Sequence, residues 1–234
     1  MNVRPAALKA PTDIWDSCGW ALLPGILRPD EVAALRLEAD RLIRKTEYFD
    51  ERGAVPFSPT RRDRLDPVID LSDAFAELSR DPRLLDLAGS FAGGKVQLMK
   101  DKFIAKPPGA SGYGTHQDGA YWAGLNIDPH RFLTIAVFLD DATLDKGPIE
   151  CASGFHQAVI SGPDGLDPDD SKLGPFSTIE AAAGDLLVLH ALTPHRSGPN
   201  RSSEMRRALL FSYGVDDRPD LYGRYYQLKR SMCP

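Results

Sequence analysis

Cysteine is nearly missing from this chain, which carries only Cys18, Cys151 and Cys233. The number is odd and no two have metal-ligand spacing. That argues against a disulfide framework and fits isolated thiols in a reducing compartment. Long apolar runs are missing as well. No stretch approaches the ~20 residues that a membrane span needs. The opening Met1-Asn2-Val3-Arg4-Pro5 lacks the apolar core of a secretory leader, so a cytoplasmic protein is expected. Positive charge is in deficit, with 28 Lys and Arg against 33 Asp and Glu. The densest basic stretch, Arg201 to Arg207, holds three arginines, too few for a nucleic-acid stripe. Internal repeats and low-complexity tracts are absent. What remains is ordinary for a globular protein, 42% hydrophobic and 26% charged. A chain of 234 residues is long enough for one substantial core, and no domain boundary is evident.

The first half reads as helical. Residues 1 to about 12 form a Pro- and Ala-rich arm, and Gly19 to Gly25 a short strand ended by Pro24 and Gly25. Pro29-Asp30-Glu31 opens a helix whose Val32, Leu35, Ala39, Leu42 and Ile43 recur at helical spacing. Residues 50–67 are charged and proline-broken, a loop. Leu71 to Leu78 forms a short helix. Asp81-Pro82 caps another, which ends at Gly93-Gly94. Beyond Lys95 strands take over: Val96 to Lys106, Arg131 to Leu139, Pro148 to Cys151, Gly184 to His190 and Arg207 to Tyr213. The near-continuous apolar run from Arg131 to Leu139 predicts burial on both faces. Residues 161–175 are rich in Gly, Pro and Asp, a long loop. Helices followed by short strands imply an antiparallel sandwich or barrel faced by helices.

The chemistry gathers at Gly112-Tyr113-Gly114-Thr115-His116-Gln117-Asp118. On an extended strand His116 and Asp118 project to one side. Far downstream stands His195, with Arg206 eleven positions beyond. Two neutral imidazoles and one carboxylate on one face of a metal form the facial triad of non-heme Fe(II) oxygenases. An inward Arg206 needs a counter-ion, and a ligand carboxylate would match its planar fork. On hairpin geometry His195 and Arg206 would lie on adjacent strands. Only one of Arg206 and Arg207 can point inward. His130 reads as a loop residue, His156 as a turn cap and His190 as a hydrogen-bonded strand end. The aromatic, basic segment 220–230 either covers the pocket or packs on the barrel.

From Val96 to Tyr213 the chain resembles the phytanoyl-CoA dioxygenase-like branch of the Fe(II)/2-oxoglutarate-dependent oxygenases. The matching text is Lys106-Pro107-Pro108, His116-Gln117-Asp118, Gly184 to His190, His195-Arg196-Ser197-Gly198-Pro199-Asn200 and Arg206. The resemblance implies a mainly β fold with flanking helices, a double-stranded β-helix of jelly-roll, cupin-like type. It implies iron on His116, Asp118 and His195, and Arg206 on the distal carboxylate of 2-oxoglutarate, helped by Ser197. Thr134, Lys102 and Tyr113 would contact the cosubstrate, and Trp122 would line the substrate pocket. O2 is the second cosubstrate, and succinate and CO2 the by-products. Relatives often carry Pro-Gly-Ser-His where this chain has Ser153-Gly154-Phe155-His156. Asp118 disfavours the halogenases of this branch, in which a small residue replaces the carboxylate. Hydroxylation of a small molecule, in specialised metabolism or catabolism, leads. Epimerisation, cyclisation and desaturation would use the same residues. The text from His195 to Arg206 is also similar to that of phosphonate hydroxylases, but it concerns cosubstrate residues. A non-catalytic metal-binding jelly-roll module and an O2-independent zinc hydrolase stand as readings of other classes.

Overall fold

Alternation of apolar side chains builds two facing antiparallel sheets, with the helices laid on one of them. The computed structural model describes residues 12–45, 47–48, 63–160 and 173–232. In chain order the elements begin α1 (Thr12–Cys18), β1 (Trp20–Leu23), α2 (Pro29–Ile43), β2 (Arg64–Leu65), α3 (Asp73–Leu78), α4 (Pro82–Ala92) and β3 (Gln97–Lys106). They continue with β4 (Tyr113–His116), β5 (Phe132–Phe138), β6 (Ile149–Ala152), β7 (Phe176–Ile179), β8 (Leu186–His190), β9 (His195–Ser197), β10 (Arg206–Gly214) and α5 (Leu221–Met232). The strands form one sheet in the order β1-β8-β5-β10-β3-β2 and a second in the order β4-β9-β6-β7. Among the described residues no helix is long and apolar enough to cross a membrane.

The six-stranded sheet has two apolar faces, and β5 shows why. All seven of its residues are buried. Leu133, Ile135 and Val137 join the core beneath the helices, with Trp15, Leu42, Phe75 and Leu84. Ala136 and Phe138 turn the other way and meet Ile149, Cys151 and Ile179 of the opposing sheet. A strand buried on both faces reads as a continuous apolar run, as the sequence predicts.

The helices start and stop on local signals. In α2, Pro29 occupies the first turn with Asp30 and Glu31, and Val32, Leu35, Ala39 and Leu42 are buried. The Asp81 side chain accepts from the Arg83 N–H to cap α4, and Gly93 closes it at φ 72°, a left-handed conformation that favours glycine. Ser72 caps α3 by accepting from the Phe75 N–H.

Several expectations change. The strand predicted to run through Asp118 stops at His116, and Asp118–Leu125 is a 3-10 helix. Gln117 still has extended dihedrals (φ −112°, ψ 125°), so His116 and Asp118 keep their common side. His195 and Arg206 are not neighbours on one hairpin: β9 and β10 lie in different sheets. The short strands β7 and β9 have too few residues to show a period. The predicted arm and most of the two loops, residues 1–11, 51–62 and 161–172, lie outside the described residues. Segment 220–230 is part of α5, which packs on the barrel. Leu221, Tyr225 and Tyr226 meet Met99, Trp122 and Phe132, and Lys229 pairs with Asp66 at 3.0 Å.

His190 is the hydrogen-bonded strand end expected, its Nδ1 accepting the Leu192 N–H at 3.0 Å. The rings of His156 and His130 lie 5.3 and 5.7 Å from it. Burial, and then His156 and His130, push its pKa from 6.5 down to about 4. The unfolded chain therefore takes up this proton first, and stability falls as pH drops from 6.5 toward 4. His190→Asn keeps an acceptor for Leu192. In urea melts it should reduce that acid-side loss by ~3 kcal/mol. An unchanged pH slope would contradict this assignment.

Candidate metal centre

Cross-strand pairing brings the two imidazoles together. His116 on β4 lies directly opposite His195 on β9, and their ring centroids are 4.2 Å apart. Each ring has its Nδ1 against a backbone carbonyl, Gly114 at 2.8 Å and Thr193 at 3.0 Å. A carbonyl only accepts, so each Nδ1 carries the proton and each Nε2 keeps a free lone pair. Asp118 arrives from the 3-10 turn, its Oδ1 3.9 Å from His116 Nε2. One ligand atom from each of His116, Asp118 and His195 lies within 4.8 Å of the others.

The electrostatics suit a divalent cation. Burial, then His195, lowers the His116 pKa to about 3, and burial likewise lowers that of His195. Both rings are neutral at pH 7, the form that ligates metal. Burial opposes ionisation of Asp118, but the ammonium groups of Lys100 and Lys102 outweigh it and hold the carboxyl well below its usual range. Two imidazoles and one carboxylate with O/N donors and no thiolate fit ferrous iron.

The six-stranded sheet holds Asp118 from the other side. Thr134 on β5 donates to Asp118 Oδ2 at 2.9 Å and shares a second 2.9 Å contact with Ser212 on β10. Thr134, expected on the cosubstrate, thus has its proton committed to Asp118. Lys100 Nζ approaches Asp118 Oδ1 at 4.0 Å.

Arg206 and Arg207 divide as alternation demands. Arg207 faces the helices and pairs with Asp140 at 2.7 Å and with Asp40. Arg206 is 3% exposed, and its Nε is buried without a hydrogen-bond partner. Burial lowers its pKa to about 10, and among the described residues no carboxylate pairs with it. Its register partner is Lys106, whose Nζ donates to Ser197 Oγ at 3.1 Å. Ser197 in turn pairs in register with Tyr113, whose hydroxyl reaches Asp63 at 3.4 Å. Arg206, Ser197 and Tyr113 therefore share one end of the cavity.

Lys102 sits on the inner face of β3, 8% exposed. Burial, then Lys100 and Arg64, push its ammonium well below the usual lysine range. Trp122 departs from expectation. Its ring is fully buried among Met99, Phe132, Leu221 and Tyr225, because the 3-10 turn after His116 carries it beneath α5. This places it in the packed cluster beneath α5. Sequence reasoning missed Lys100, Lys106 and Ser212. The signal was present: positions 100, 102 and 106 alternate onto one face of a strand.

The comparisons with known proteins agree with this geometry. Residues 15–208 match the family described as phytanoyl-CoA dioxygenase (PhyH). Over 171 residues the chain is 30% identical to a probable alpha-ketoglutarate-dependent hypophosphite dioxygenase of Stutzerimonas stutzeri. That match covers 64% of this chain and 56% of the relative, little more than half its length. A methylphosphonate hydroxylase of Gimesia maris is 26% identical over 225 residues, covering 93% of this chain and 85% of that one. The crystal structure of EctD from S. alaskensis with 2-oxoglutarate and 5-hydroxyectoine superposes with a TM-score of 0.80 at 20% identity. That likeness, over 91% of this chain and 78% of the other, establishes the jelly-roll fold.

Thr134→Val keeps the shape of the side chain and removes the hydrogen bond to Asp118. Loss of such a support costs ~10–100-fold in metal affinity. Anaerobic Fe(II) titration should show that weakening with little change in melting temperature. Unchanged affinity would make the contact incidental.

Proposed function

Because the chain belongs to the phytanoyl-CoA dioxygenase family of iron- and 2-oxoglutarate-dependent oxygenases, we propose that it hydroxylates a small phosphorus oxyanion. The convergence of His116, Asp118 and His195, with ligand atoms within 4.8 Å of one another, carries the oxidative part of this reading. The substrates named for two relatives, hypophosphite and methylphosphonate, support the substrate class.

Nε2 of His116, Nε2 of His195 and a carboxylate oxygen of Asp118 would hold the metal. Thr134 keeps the second Asp118 oxygen occupied, so the carboxylate presents one edge. Arg206 takes the distal carboxylate of 2-oxoglutarate as its missing counter-ion. Ser197 and Tyr113 flank that carboxylate. Ile104, Ala208 and Leu210, buried on the inner faces of β3 and β10, wall the space between arginine and metal and exclude water. Electrostatic contacts in such an enclosure are stronger than in water. Bound iron with 2-oxoglutarate supplies O2 activation, one oxygen atom going to succinate as CO2 leaves and the other to the substrate.

The balance requires one O2 and one 2-oxoglutarate per hydroxylated product. With Fe(II), 2-oxoglutarate and methylphosphonate, succinate should form only when O2 is present. Arg206→Met should raise the KM for 2-oxoglutarate ~100-fold, the scale of a lost charge-assisted bidentate contact, while Fe(II) binding is kept. An unaltered KM would remove Arg206 from the cosubstrate site. Activity without O2 would favour hydrolysis instead.

A further inference from the structure

The inner face of β3 carries more positive charge than the metal and cosubstrate account for. Lys100, Lys102 and Lys106 occupy it, with Ile104 between the last two and with Arg206 on β10 and Arg64 on β2 beside them. Most of these charges have partners. Arg64 pairs with Asp66, which also takes Lys229 at 3.0 Å. Lys106 donates to the carbonyls of Gly147 and Gly198 and to Ser197 Oγ. Arg206 is assigned to the cosubstrate above. Lys100 and Lys102 remain. Among the described residues Lys100 has only the 4.0 Å approach to Asp118 and a face-on contact with the Tyr225 ring at 5.6 Å. Lys102 is buried and makes no hydrogen bond or ion pair with any described residue. An ammonium held out of water without an acceptor is strongly disfavoured, and its natural complement is an anion.

Strand register says on which side that anion sits. Arg206 lies opposite Lys106, Leu210 opposite Lys102, and Ser212 opposite Lys100. Same-face positions are about 6.6 Å apart along a strand, so Lys102 is about 13 Å and Lys100 about 20 Å from Arg206 along the sheet. Asp118 is tied to this far end through Thr134, which lies opposite Ser212. Arg206 and the distal end of the cosubstrate therefore stand at the Lys106 end, and Lys102 and Lys100 lie on the metal side of them.

We propose that Lys102, with Lys100 beside it, is the receptor for the anionic head group of the primary substrate, a phosphonate or phosphinate. The inference rests on the reading of the metal and 2-oxoglutarate sites given above. Two ammonium groups match the double charge of a phosphonate. Asp118, the carboxylate nearest them among the described residues, is committed to the metal. Holding the head group here places the attached C–H or P–H bond next to the metal rather than in its coordination positions.

The test is equilibrium binding without turnover. Protein loaded with Fe(II) and 2-oxoglutarate under anaerobic conditions is titrated with methylphosphonate and, separately, with hypophosphite, followed by tryptophan fluorescence or calorimetry. Lys102→Met should weaken methylphosphonate binding at least 30-fold and Lys100→Met at least tenfold. The Kd for 2-oxoglutarate should change less than threefold in either variant, which also shows that each has folded. Lys102→Arg should restore most of the lost affinity. Variants that bind methylphosphonate like the parent would overturn the proposal, as would a parallel loss of 2-oxoglutarate, which would assign Lys102 to the cosubstrate. If the parent binds neither anion while still binding 2-oxoglutarate, the receptor assignment fails and the oxygenase reading stands.

Discussion

One hydrogen bond reaches the metal ligands from the opposing sheet. His116 and His195 belong to the four-stranded sheet, whereas the hydroxyl that fixes Asp118 comes from Thr134 in the six-stranded sheet. The pose of the Asp118 carboxylate therefore depends on the two sheets closing on each other, whereas the imidazoles meet within one sheet. The residues between the sheets, Ala136, Phe138, Leu189 and Leu210 against Ile149 and Ile179, supply the apolar burial that drives this closure. A metal seated on these three ligands would in turn stabilise the folded chain beside this seam by mass action.

The cavity behind that seam is unusual in charge. Buried cations are normally paired, as Arg207 is with Asp140 and Arg64 with Asp66. Arg206 and Lys102 break the pattern, and each lies on the inward face of its strand. Leaving such groups without counter-ions costs folding stability. The same low dielectric that imposes the cost strengthens any anion contact made there. Arg206 at one end and the Lys100–Lys102 pair toward the metal seat at the other thus give the cavity two anion sites.

Much of this was legible in the sequence because the relevant signals are local. The cap at Asp81-Pro82, the left-handed Gly93 and the run from Phe132 to Phe138 depend on neighbouring residues alone. The His-x-Asp pair and the downstream His195 do converge. What depended on the partner strand was not legible. Nothing near Thr134 says that its hydroxyl meets a carboxylate sixteen residues earlier, and nothing near Trp122 says that α5 will cover it. The placement of His195 and Arg206 in opposite sheets needed the strand order. The lysines of β3 could be counted, but whether their face looked inward required the sheet.

The most direct test of the account is the visible absorption of the Fe(II)-loaded protein when 2-oxoglutarate is added without O2. If the three ligands and Arg206 act as described, a weak charge-transfer band should grow in, saturating at one cosubstrate per chain, and His195→Ala should abolish it. A protein that binds one Fe(II) per chain yet shows no band with saturating 2-oxoglutarate would contradict it.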